Sequence, residues 1–138
     1  MRRLSDIVRN QHPVTLRPSA SVKHACECMR QHKVGAVLVT DEHDRLIGIF
    51  TGRDAVGRVI AEGKNAEATT LADVMTTKPI CVAPARSAID ALRLMHHTGC
   101  RHIPIVENDK VVGVVSKADF RGVEVDRLDE ETGLWERI

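Results

Sequence analysis

The chain has 138 residues, 43% of them apolar and 28% charged, with a formal net charge of +1. This is globular composition, and the near-neutral charge gives no reason to expect a nucleic-acid or membrane partner. No apolar run approaches the roughly 18 residues a spanning helix needs.

Aromatic residues make up only 2% and tyrosine is absent, so the core must come from Val, Ile, Leu, Ala and Met. The opening "MRRLSDIVRN" lacks the apolar stretch of a secretory signal. Cys26, Cys28, Cys81 and Cys100 show no C-x-x-C spacing. They read as reduced thiols, and the expected location is cytoplasmic.

In chain order, Val14–Leu16 reads as a short strand stopped by Pro18. Ser21 can cap a helix whose apolar face is Val22, Ala25, Cys26 and Met29, at i, i+3, i+4, i+7 spacing. Strands follow over Val34–Thr40 and Leu46–Thr51. The polar "DEHDR" between them implies an antiparallel hairpin. A helix then carries Ala55, Val56, Val59 and Ile60 on one face. "AEGKNAEATT", 61–70, is small, polar and connecting.

The pattern then begins again. "LSDIV" at Leu4 returns as "LADVM" at Leu71, and "PVTLRPSASVKHACECM" returns as "PICVAPARSAIDALRLM". The second helix presents Ala88, Ala91, Leu92 and Met95. Strands Ile103–Val106 and Val111–Ser116 are joined by "ENDK", and Phe120 and Val123 open the last helix. "VGAVLVTDEHDRLIGIFTGRD" and "CRHIPIVENDKVVGVVSKAD" correspond, the second being one residue shorter in its turn.

The chain therefore divides into a first copy over 1–62, a linker over 63–70, a second copy over 71–125 and a tail over 126–138. Each copy is β-α-β-β-α. One alone buries only one side of its sheet well, which favours an α/β (α+β) fold of two copies packed as a pseudo-two-fold pair. The tail carries Leu128, Leu134, Trp135 and Ile138 and is expected to dock.

This duplicated series resembles the cystathionine-β-synthase (CBS) domain, specifically a tandem CBS pair, or Bateman module, over about Leu4 to Val125. The matching features are the proline-preceded first strand, the Ala-x-x-x-Met helices, "RHIPIV", and the segments "GIFTGRD" and "GVVSKAD". The resemblance implies a regulatory, non-catalytic module. It implies clefts between the repeats that bind adenosine-containing ligands such as AMP, ADP, ATP or S-adenosylmethionine, and frequent homodimers.

Thr51-x-x-Asp54 and Ser116-x-x-Asp119 have two compatible readings. As a capping box, the hydroxyl and the carboxylate exchange hydrogen bonds with each other's backbone at a helix start. As a site, the carboxylate accepts ribose hydroxyls. The resemblance implies the second role for Asp54 and Asp119, with Thr51 and Ser116 beside them. It also implies base contacts at Val14 and Ile80 and at the backbone of Gly35 and Thr77, although Val14 and Ile80 taken alone read as core.

Phosphates need cations. Arg101 and His102 begin a strand where some family members carry phosphate ligands. Arg53 and Lys117 lie inside the two motifs, where a solvated surface role is an equal reading. The first copy has Gly35 and Ala36 in place of the Arg101–His102 pair, so the two sites are expected to be unequal.

His24 and Cys28 are i, i+4 neighbours, and "MHHTGC" carries two more histidines, but neither has the spacing of a metal centre. There is no nucleophile elbow, Walker loop or dinucleotide fingerprint. The expected function is nucleotide sensing without a cofactor or metal, signalling to a separate effector protein. The alternative is a ligand-free dimerisation or assembly module.

Overall fold

The structure is a computed structural model describing residues 2–132. It forms α1 (Leu4–Val8), β1 (Thr15–Leu16), α2 (Val22–His32), β2 (Ala36–Thr40), β3 (Leu46–Thr51) and α3 (Gly52–Asp54), which runs on into a π-helical turn, Ala55–Ile60. Next come α4 (Leu71–Val74), β4 (Thr76–Thr77), α5 (Ala88–Thr98), β5 (His102–Glu107), β6 (Lys110–Ser116), a 3-10 turn over Lys117–Asp119, and α6 (Gly122–Thr132). The fold class is mixed α/β.

Four strands form a sheet in the order β1-β2-β3-β4, and β5 pairs with β6. β1 runs parallel to β2, while β2, β3 and β4 are antiparallel neighbours. The Ala36–Thr40 and Leu46–Thr51 hairpin is the one the polar connection implies, its first strand beginning two residues after Val34.

The chain divides into two compact units that do not follow the sequence copies. One unit holds His12–Pro79 with Asn108–Val111. The other holds, of the described residues, 2–11, Ile80–Glu107 and 112–132. Each copy's opening helix thus belongs to the unit built mainly from the other copy.

The hydrogen bonds show the equivalence. Leu71 N–H donates to Ala20 O at 2.9 Å and Ala72 N–H to Pro18 O at 3.0 Å. Leu4 N–H donates to Arg86 O and Ser5 N–H to Pro84 O, both at 2.9 Å. Apolar burial drives the docking, because Leu4 and Leu71 are both fully buried.

In the His12–Pro79 unit the core is Val22, Ala25, Met29, Val37, Val39, Phe50, Val59, Leu71 and Val74. Ser21 Oγ accepts the His24 N–H at 3.0 Å, the predicted cap. Lys33 ends α2 in the left-handed region. In the other unit, Ala88, Ala91, Leu92 and Met95 line α5 against Leu4, Val8, Ile103, Ile105 and Val115.

Two expectations about the last helices need correcting. Val56 and Ile60 do not share a buried face with Val59; they are 62% and 72% exposed, and Val59 is buried. The turn is π-helical, with Ala61 N–H donating to Val56 O and Lys64 N–H to Val59 O, so a 3.6-residue period does not apply. Phe120 is buried but lies in extended backbone ahead of α6, and Val123 is 80% exposed. In the tail, Leu128 is buried among the α5-side core; Leu134, Trp135 and Ile138 lie outside the described residues.

Candidate functional site

Each hairpin's second strand ends in one of the two motifs, and both are capping boxes. Thr51 N–H donates to Asp54 Oδ2 at 3.0 Å, the Thr51 hydroxyl donates to the same oxygen at 3.2 Å, and Asp54 N–H returns a bond to Thr51 Oγ1 at 3.4 Å. Ser116 N–H donates to Asp119 Oδ2 at 2.6 Å and its hydroxyl to that oxygen at 3.3 Å. The capping arrangement is therefore present in both corners and engages one oxygen of each carboxylate.

Backbone bonds tie each corner to the start of its hairpin. Gly52 N–H donates to Gly35 O at 3.2 Å, and Lys117 N–H to Arg101 O at 3.1 Å. The predicted site residues fall into two sets. Val14, Gly35, Thr51, Arg53, Asp54 and Thr77 lie in the His12–Pro79 unit, whereas Ile80, Arg101, His102, Ser116, Lys117 and Asp119 lie in the other.

In the first set, Val14 is partly buried against the core, and its carbonyl accepts the Leu38 N–H. Thr77 pairs with Gly48, three residues back along β3 from Thr51. In the second set, Ile80 is 45% exposed and so is not core. Arg53, Arg101 and Lys117 are exposed, and none takes part in an ion pair among the described residues.

His102 is half-buried, and burial holds its imidazole below its ordinary pKa. Asp119 opposes that shift and Arg101 adds to it, which places His102 within the electrostatic reach of both.

Two positioning residues escaped the sequence reading. Arg2 donates from Nη2 to the Asp119 carbonyl at 2.9 Å and pairs with Glu124 at 2.6 Å. The paired Arg2 guanidinium holds the Glu124 carboxyl below its usual range. No local pattern announces a contact 122 positions apart. Arg58, four residues after Asp54, has its Nε 3.6 Å from Asp54 Oδ1. Its i, i+4 spacing from an acid was the readable signal.

The His24–Cys28 pair does meet, with Sγ 3.7 Å from Nε2. No group of three or more metal-ligating side chains is found among the described residues. No helix among them is long and apolar enough to cross a membrane.

Comparison with known proteins bears on the family of the chain. The CBS domain family model matches twice, at residues 4–61 and 71–126. CBS domain-containing protein CBSCBSPB2 of Arabidopsis thaliana is 40% identical over 108 residues, covering 78% of this chain; the chain spans only 20% of that relative's length. The crystal structure of a CBS-domain containing protein from Agrobacterium tumefaciens has a TM-score of 0.77 at 30% identity, covering 91% of this chain and 98% of that one. A CBS domain protein from Pyrobaculum aerophilum, solved complexed with AMP, has a TM-score of 0.83 over 93% of this chain and 98% of its own. Its 22% identity makes that a likeness of fold. Two matched copies, with a capping-box aspartate ending each hairpin, identify the chain as a member of the CBS-domain family, carrying two CBS domains.

Proposed function

We propose that the chain is a regulatory, non-catalytic, cytoplasmic module that binds an adenosine-containing nucleotide and passes the signal to a separate effector protein. One observation carries the reading. Among the described residues, Asp119 keeps Oδ1 without a hydrogen bond or ion pair, in the unit where Arg101 and Lys117 are unpaired cations and His102 can become one. A carboxylate oxygen suits ribose hydroxyls, and planar guanidinium and ammonium groups suit phosphate. Asp119 and Ser116 take the ribose, Arg101, His102 and Lys117 the phosphates, and Ile80 an edge of the base. Asp54, Thr51, Arg53, Val14, Gly35 and Thr77 form the corresponding set. The AMP complex of the Pyrobaculum protein supports the ligand class.

A thermal-shift panel of AMP, ADP, ATP, S-adenosylmethionine and NAD, with and without magnesium, tests the reading. At 100 times the dissociation constant a ligand adds about 2.7 kcal/mol, a rise of roughly 5–10 °C in Tm. No rise with any of the five at millimolar concentration would remove it.

Self-association is part of the proposal. Val56, Ile60 and Val123 are 62%, 72% and 80% exposed on the closing helices. Burying them against a second copy removes apolar surface from water. Monomer alone in sedimentation at tens of micromolar would exclude the dimer. A dimer with a blank ligand panel would favour the assembly-module reading instead.

A further inference from the structure

The two capping-box corners share a backbone and differ in charge. In both, Oδ2 is engaged by the cap, so Oδ1 decides what else the carboxylate can hold. In the Asp54 corner that oxygen faces the Arg58 guanidinium at 3.6 Å. Arg58 is itself held from the other side. Its Nη1 donates to Val74 O at 3.2 Å and to Met75 O at 3.1 Å, at the end of α4. The Asp54 side chain is only 13% exposed under this clamp.

The Asp119 corner has no such clamp. The residue four positions on is Val123, which points into solvent. The nearby Arg2 pairs with Glu124 and bonds the Asp119 main-chain carbonyl; its charge reaches the Asp119 carboxylate, but no ion pair joins the two. Among the described residues no cation lies within ion-pair distance of Asp119.

We propose that Arg58 guards the Asp54 corner. It occupies the carboxylate oxygen that a ribose hydroxyl would need, so an adenosine ligand takes the Asp119 corner first. The Asp54 corner opens only when Arg58 is drawn away. This inference rests on the nucleotide reading above and names which of the two corners is ready for ligand. Arg58 is a positioning residue, acting through Asp54. Its anchorage on two carbonyl groups of α4 makes the clamp part of the fold, since displacing it costs those bonds as well as the ion pair.

Titration calorimetry of the full chain with AMP tests it by stoichiometry, which a purely structural role for Arg58 would not change. The wild-type protein is expected to take one equivalent. Asp119→Ala should weaken that binding roughly 10- to 150-fold, the effect of one lost charge-assisted hydrogen bond. Arg58→Met should gain a second equivalent, and the double variant Arg58→Met/Asp54→Ala should lose it again.

Arg58→Gln keeps an amide donor for the α4 carbonyls without the charge. It serves as the companion variant should Arg58→Met fold poorly, and the same second equivalent is expected. Two equivalents of similar affinity in the wild-type protein would overturn the guard while leaving the nucleotide reading intact. So would a wild-type isotherm from both Arg58 variants. No AMP binding by any form would remove both. A double-mutant cycle of Arg58→Met with Asp54→Asn, measured by ligand-free unfolding, should show coupling between the two positions, and strict additivity would also overturn the clamp.

Discussion

β3 and β6 are the same strand in the two copies, and each needs its outer edge covered. β3 is covered by chain: Thr76 and Thr77 pair with Ile49 and Gly48. At the corresponding stretch of β6 the cover is a side chain. The Gln11 amide donates from Nε2 to Val114 O and accepts the Val114 N–H on Oε1, both at 2.9 Å. A primary amide has the donor and acceptor of a peptide group, so one glutamine can stand in for a strand residue. Duplication has kept the requirement that the edge groups be paired and let the chemistry of pairing drift.

The glycines beneath these covers differ in the same way. A Cβ on Gly48 would meet Met75 Sδ at 2.5 Å, and one on Gly113 would meet Val8 Cβ at 2.5 Å and Gln11 Oε1 at 2.9 Å. Methionine can swing its thioether aside, but the root of a β-branched valine cannot move without its backbone.

The largest effects test whether the two exchanged helices are equivalent. Leu4→Ala and Leu71→Ala each empty a fully buried site and should each cost about 2–5 kcal/mol in denaturant unfolding. A near-neutral Leu4→Ala beside a costly Leu71→Ala would break the equivalence of α1 and α4.

Next come the glycines. Gly113→Ala should cost about 1–3 kcal/mol by overpacking, and Gly48→Ala clearly less because Met75 yields. Equal losses would show that rigidity of the neighbour does not set the difference. Gln11→Ala should cost about 1 kcal/mol as the Val114 groups lose their partner at a part-buried edge. Faster amide exchange at Val114, with Ile49 unaffected, would locate the loss.

The smallest effect is a pH response. Burial lowers the pKa of folded His102 below 6.5, so the unfolded chain takes up the proton first. The contribution is complete above about pH 6.5 and is lost as the pH falls from there through the folded pKa, with a slope of at most about 1.4 kcal/mol per pH unit. The counterpart position is Ala36, so the response belongs to one unit only. His102→Asn should flatten stability between about pH 7.5 and 5.5, and an unchanged slope would assign it elsewhere.

Local signals carried the reading furthest. The buried faces of α2 and α5, the Ser21 cap and the bounds of β3 follow from spacing within a dozen residues. The capping boxes were legible because four consecutive residues define them. The misplaced face of Ala55–Ile60 arose because a change from i→i+4 to i→i+5 bonding leaves no mark in composition. Arg2 and Gln11 act on residues more than a hundred positions away, beyond any periodicity. Arg58 was visible as an i, i+4 partner of Asp54, yet only its second grip on Val74 and Met75 distinguishes a clamp from a surface pair.

The exchange of α1 and α4 means that the unit of inheritance and the unit of folding are out of step by one helix. A cut at the linker, the natural place on a sequence alignment, would strand both fragments. The first would carry α1 without the α5 surface it covers, and the second would carry off the Leu71 that seals the Phe50 core. A cut after Gln11 and another after Pro79 would instead release a piece with its own core intact. During synthesis the same offset imposes an order. Residues 12–79 can close as soon as they emerge, while α1, made first, must wait for Pro84 and Arg86 before its leading amides find their acceptors.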